Sequence, residues 1–184
     1  MSAAPRRWAA ELLHYWFHVL GPNDWFRGGP HVDEALRKRF EPELLALHTQ
    51  PAERFLTDPL TARAAVLLFD QVPRNLYRGK PEAFAFDPLA RHICRGILAR
   101  GWDKRLTRVE RQFIGLPLEH SEHIADQLDS LRYFTALGDP QTTDFARHHY
   151  KMIARFGRFP HRNEELGRTS SAAELEAVAA GNAW

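Results

Sequence analysis

No segment of this chain alternates apolar and polar residues convincingly, whereas helical stripes follow one another almost from end to end. A strand needs a period of two and an amphipathic helix a period of 3.6, so this pattern excludes a sheet-based fold and leaves packed helices. Ala9, Leu12, Leu13, Trp16, Phe17 and Leu20 form the first stripe, which Gly21-Pro22 ends. Leu36, Phe40, Leu44 and Leu47 form a second, with a bend expected at Pro42. Asp58-Pro59 reads as an N-cap followed by proline at the first helical position, opening a helix expected to stop near Pro73. Asp87-Pro88 repeats that signal, and its helix runs through Ala90, Ile93, Cys94, Ile97 and Leu98 to Gly101.

Thr107 with Glu110 forms a capping box for a short helix expected to end at Pro117. Ile124, Leu128 and Leu131 mark the next helix. Phe145, Met152, Ile153 and Phe156 mark another that ends at Gly157, and Ser171 with Glu174 opens a last one. The expectation is one all-α domain over residues 1–184, built from about eight helices in stacked antiparallel pairs. A chain of 184 residues, 44% hydrophobic, is long enough to bury a sizeable core. The single Cys94 permits neither an intrachain disulfide nor a multi-cysteine zinc site. The longest apolar run, Ala64 to Phe69, is far too short to span a membrane. Glu11 and His14 interrupt the one candidate signal core, so a cytoplasmic protein is expected.

Two stripes are broken by polar residues. The pattern of Leu60, Ala64, Leu67 and Leu68 calls for an apolar residue where the chain has Gln71. That of Phe145, Met152, Ile153 and Phe156 calls for one where it has His149. A buried amide or imidazole without a partner costs about 1–3 kcal/mol, so each is expected to meet a polar group inside. Gln71 leads into VPRNLYRG, with Arg74, Asn75 and Arg78. His149 leads into RFGRFPHRN, with Arg155, Arg158, His161, Arg162 and Asn163. These two segments contain no acid, and Pro73 and Pro160 are expected to hold them as stiff turns. PLEHSEHIADQ, with Glu119, His120, Glu122, His123, Asp126 and Gln127, is the expected source of counter-charge.

The blocks LLFDQVPRNLYRGKPEAFAFDPLA, LPLEHSEHIADQ and HYKMIARFGRFPHRNEELGR, with the upstream DWFRGGPHVDEALRKRF, resemble a bacterial family, number 924 among the domains of unknown function. The likeness covers roughly residues 8 to 176. It implies an all-α, tetratricopeptide-like superhelix and carries no established activity. The family's polar positions match Asp70, Gln71, Arg74, Asn75, Arg78, His120, Ser121, Glu122, Gln127, His149, Arg155, Arg158, His161, Arg162, Asn163 and Arg168. His123 departs from the family, standing where an acid is common.

Gln71, Arg74, Glu122, His149 and Arg162 are expected to surround a common cavity. Local cations outnumber local acids there, and guanidinium suits carboxylate and phosphate. A small anionic metabolite or a peptide carboxylate is therefore the expected partner, with Gln71, Arg74, Asn75, Arg78, His120, Glu122, His149, Arg155, Arg158, His161, Arg162 and Asn163 as binding residues. Two other readings stand beside it: an enzyme using His120, Glu122 or His149 as acid or base, and a polar clasp that only locks helix ends together. His120 and His123 do not form a recognised metal motif, and no phosphate-loop or dinucleotide glycine pattern is present, so neither metal nor cofactor is expected. A net charge of +2 counts against nucleic acid.

Overall fold

The computed structural model describes residues 6–181, and within them the architecture is all-helical with no strand. The helices are α1 (Arg7–His14), α2 (Pro22–Phe26), α3 (Pro30–Leu47), α4 (Pro59–Val66), α5 (Val72–Leu76), α6 (Asp87–Ala99), α7 (Arg108–Glu119), α8 (Ile124–Leu137), α9 (Pro140–Phe156) and α10 (Ala172–Ala179). α1 continues into a π-helical turn at Tyr15–Val19, and α4 and α5 are one rod joined by π-helical Leu67–Gln71. The caps follow the sequence signals. Asp58 accepts from the Thr61 amide, Thr107 and Glu110 form a reciprocal box, and so do Ser171 and Glu174.

Prolines break fewer helices than the sequence implies. Pro117, expected to end its helix, lies inside α7, while Pro42 lies inside α3, within the stripe that was expected to run past it. Pro73 does not stop its helix either: the π-helical turn ends just before it, with the Val72 amide bonded to the Leu67 carbonyl. Pro73 thus occupies the first turn of α5, where a missing N–H removes no helical bond. Arg74 and Asn75 consequently sit on a helix and not on a stiff turn.

The α4–α5 rod is the spine of the fold. Residues 64–73 are buried without interruption, because α1, α3, α6 and α7 all pack against the rod. The main core gathers Trp16, Phe40, Phe55, Phe69, Phe113 and Phe134 around it, and a smaller cluster of Met152, Ile153, Phe159 and Ala177 lies toward the C-terminal end. α7 and α8 meet closely at Gly115. A Cβ there would sit 2.7 Å from Tyr133 Cδ1 and 2.9 Å from Phe134 Cζ. The Tyr133 hydroxyl, which donates to the Arg111 carbonyl at 3.0 Å, keeps that ring from swinging away. Gly115→Ala should lower stability by about 1–3 kcal/mol through overpacking, despite alanine's better helix propensity. Urea denaturation of the two proteins checks this.

Candidate functional site

Polar side chains converge where the rod, the start of α6, the end of α7, the middle of α9 and the Pro160–Arg162 turn meet. Asp70, carried inward on the π-helical turn, is fully buried. Its carboxylate accepts from Gln71 Nε2 at 2.6 Å and His120 Nδ1 at 2.8 Å, and Arg74 Nη1 lies 3.4 Å away. Burial alone would raise this acid; the charge of His120 once it is protonated at low pH, the charge of Arg74, and the hydrogen bonds from His120 and Gln71 instead hold it well below the usual carboxylate range.

Arg74 donates to the Asp70 carbonyl at 2.5 Å and grips Asp87 with both terminal nitrogens, at 2.8 and 2.9 Å. Burial disfavours its charge, but Asp87 and Asp70 raise its pKa above the ordinary arginine value. Asp87 is not the cap that Asp-Pro suggested. Phe86 occupies the N-cap position, and Asp87 sits inside the first turn with its carboxylate turned to the arginines. The second arginine is Arg162, whose Nη1 reaches Asp87 Oδ2 at only 3.5 Å.

A pair of histidines completes the cluster. A carboxylate can only accept, so His120 must hold its proton on Nδ1 toward Asp70, which makes Nε2 the acceptor nitrogen of the neutral ring. Burial and the charge of Arg74 lower the His120 pKa against the pull of Asp70, which favours the neutral ring. The His149 ring lies 6.4 Å from that of His120 and donates from Nδ1 to the Phe145 carbonyl at 2.9 Å. Glu119 Oε1 is 3.5 Å from the same nitrogen, within ion-pair distance. Burial nevertheless pushes His149 down to about 3, and burial with the nearby charge of Asp70 pushes Glu119 up to about 8. We read this contact as neutral acid against neutral imidazole, since burial penalises the ionised form of both groups.

The broken stripes thus point to one place: Gln71 and His149 are both buried, and they are linked through Asp70 and His120. The cluster also takes in Arg74, Arg162 and His161, whose ring stands 5.6 Å from Phe159. Glu122 lies at its edge, accepting from the Phe159 amide and two Arg168 nitrogens. The other expected binding residues point elsewhere. Arg78 pairs with Asp33, Arg158 with Glu174, and Arg155 lies over Phe156. Asn75 bonds Gln71 and Arg78, and Asn163 bonds Ser170. The charge count from the two arginine segments therefore missed acids supplied from outside them: Asp70 just before the first, and Asp33, Asp87 and Glu174 farther along the chain. Asp126, expected among the counter-charges, is taken by Arg91 and Arg95.

Two surface concavities lie away from the cluster, one along α8 at Leu128, Leu131 and Thr135, the other at Arg6, Trp8 and Phe55. Among the described residues no group of three or more His, Cys, Asp or Glu side chains is placed to hold a metal ion, and no helix is long and apolar enough to cross a membrane. Sequence reasoning passed over Asp70, Asp87 and Glu119 as site residues. The signal for Asp70 was an acid embedded in the apolar run before Gln71.

No curated protein matches the chain. A solved structure of a protein of unknown function from Agrobacterium tumefaciens is similar over 94% of this chain and 97% of that one, with a TM-score of 0.88 and 32% sequence identity. The family described as bacterial protein of unknown function, DUF924, matches residues 12–182. With that match running through every element of the cluster, the chain belongs to the DUF924 family.

Proposed function

We propose that the cluster receives a small anion, the phosphate or carboxylate group of a metabolite or peptide, at Arg162. The observation that carries this reading is the state of the Arg162 guanidinium. Its side chain is 7% exposed, and its carboxylate contact is the 3.5 Å approach to an Asp87 oxygen that already accepts from Arg74. Its Nε has no hydrogen-bond partner among the described residues. Phe84 and Phe159 cover the guanidinium at 4.6 and 4.5 Å, which favours the cation but supplies no acceptor to Nε. Burial and the charge of Arg74 lower its pKa to about 10, against the opposing pull of Asp87, Glu122 and Asp70. Arg74, Arg162, Asp70 and Asp87 cancel in formal charge, so the reading rests on unmet donors and not on surplus charge.

An oxyanion in the guanidinium plane would accept from those donors bidentately. Phe84 is the element that must yield. It is half-buried on the Pro81–Phe84 turn and lies over both Arg74 and Arg162. Thermal melts with phosphate, glycerol phosphate and succinate test the proposal. An anion at 100 times its Kd should stabilise the protein by about 2.7 kcal/mol, and Arg162→Ala should remove the response. A wild-type melt unmoved by every anion would overturn the reading.

A further inference from the structure

Helix α8 turns polar residues inward and apolar residues outward. Asp126, Gln127 and Ser130 are buried, whereas Ile124 is 45% exposed and Leu128 37%. Two of the inward residues are accounted for inside the fold. Gln127 Nε2 donates to the Glu119 and Ser121 carbonyls at 2.6 and 2.7 Å, which closes the end of α7 and the turn after it, and Asp126 accepts from the Ser121 hydroxyl at 2.6 Å. The outward apolar residues have no such role among the described residues. α8 packs on α7 and α9, and Ile124, Leu128, the half-buried Leu131 and Thr135 follow one another along one side of it in steps of four, three and four. Thr135 belongs to this stripe because its hydroxyl donates back to the Leu131 carbonyl at 2.7 Å and needs no outside partner. Leu128, Leu131, Arg132, Thr135 and Ala136 line a concavity of about 470 Å³ there. An apolar stripe that the fold leaves open marks a contact with another molecule.

We infer that this side of α8 is a self-association surface, on which α8 of a second copy of the chain lies antiparallel. Two features select a second copy. Steps of four, three and four read the same in both directions and are the spacing of a packed helix seam. A twofold axis passing between the levels of residues 129 and 130 therefore sets Leu128 on Leu131 of the second copy and Ile124 on Thr135, so that one patch serves both chains. The charges agree with that pairing. Asp129 and Arg132 stand on the same edge of the stripe, bonded to each other at 3.3 Å, and Asp129 is also held by Arg95 at 3.1 Å. Arg132, with its side chain 76% exposed, is the member free to move. Reversal brings it to within about 3 Å, along the axis, of the level of Asp129 of the second copy. Each Arg132 then meets an acid. A stretch about 18 Å long and one helix wide covers less than the roughly 800 Å² per partner of a standard interface, so the dimer is a reversible one. This inference is independent of the anion reading.

Sedimentation velocity of the full chain from roughly 1 µM to 1 mM is the test. Monomer should pass to dimer with rising concentration, and no larger species should follow, because a twofold contact closes. Leu128→Glu should weaken dimerisation at least about tenfold, whereas Leu175→Glu, at a leucine 59% exposed on α10, should leave it unchanged. Ile124→Glu makes the same test at a more exposed position if Leu128→Glu does not fold. Direction is read by a short bismaleimide cross-linker, since Cys94 is buried and only introduced thiols react. Ile124→Cys mixed with Thr135→Cys should give a covalent dimer and either variant alone should not, because like positions lie about 16 Å apart along the axis. A wild-type chain that stays monomeric throughout would overturn the second copy as occupant. Dimers indifferent to both glutamate variants would overturn the placing of the interface on α8. Either cysteine variant joining to itself as readily as to the other would overturn the antiparallel arrangement.

Discussion

Arg74→Ala should lower the free energy of unfolding by about 3–5 kcal/mol, and Arg162→Ala by about 1–2 kcal/mol, the worth of its stacking on aromatic rings. The two arginines share Asp87 and both are largely buried, yet they are bonded differently. Arg74 makes a two-pronged bond to Asp87 and a third bond to the Asp70 carbonyl, and it stands 3.4 Å from the buried Asp70 carboxylate. Its removal strands two acids, one of them without solvent contact. Arg162 makes one long contact, and its removal leaves Asp87 still gripped by Arg74. Their pKa shifts run in opposite directions for the same reason. Each guanidinium is penalised by burial, but the carboxylates overcome that penalty at Arg74 and fail to at Arg162. Chemical denaturation of both variants provides the comparison. Equal losses of several kcal/mol would make the whole cluster a structural clasp and remove the basis for an anion at Arg162.

The all-helical fold was legible because period and punctuation are local properties of a sequence. The Asp58, Thr107 and Ser171 caps appear where their side chains and spacings place them. The expected eight or so helices correspond to α1, α3, the α4–α5 rod, α6, α7, α8, α9 and α10, and only the short α2 was not expected. Pro73 misled because a proline's effect depends on the turn before it. A π-helical turn supplies one extra residue, removes the steric conflict and aims Asp70 and Gln71 into the core together. Such turns often lie at functional sites, and this one carries the central acid of the cluster.

The site was half legible for a related reason. A polar residue on an apolar stripe announces burial, and Gln71 and His149 are buried as their stripes required. The partners of an arginine are announced by nothing local. Asp87 comes from an Asp-Pro that reads equally well as a cap, and Arg78 and Arg158 find acids 45 and 16 residues away. Counting charge within two short segments therefore overstated the surplus. It could not distinguish Arg158, paired with Glu174 through two nitrogens at an edge, from Arg162, under-bonded at the centre.

Glu119→Gln should stabilise the protein by about 4 kcal/mol at pH 7 and leave it nearly unchanged at pH 4. Glu119 is buried at the end of α7, and burial together with the charge of Asp70 raises its pKa to about 8. In the unfolded chain the same carboxyl titrates near its ordinary value of about 4.3. Between those two values the folded protein holds a proton that the unfolded chain releases, so stability falls as pH rises through the window, by up to about 1.4 kcal/mol per pH unit. Glutamine keeps the shape and stays neutral, which removes that slope. His149 and His161, pushed down to about 3 and about 4 mainly by burial, add a slope of the opposite sign. Their contribution is lost as pH falls below the unfolded histidine value of about 6.5. It is common to both proteins and drops out of the difference. Urea titrations at pH 4, 7 and 8 would trace that difference directly. It should open from near zero and stop growing above pH 8. A Glu119→Gln variant less stable than wild type at pH 8 would mean that Glu119 is a carboxylate paired with a charged His149. The neutral centre assigned to the cluster would then be wrong.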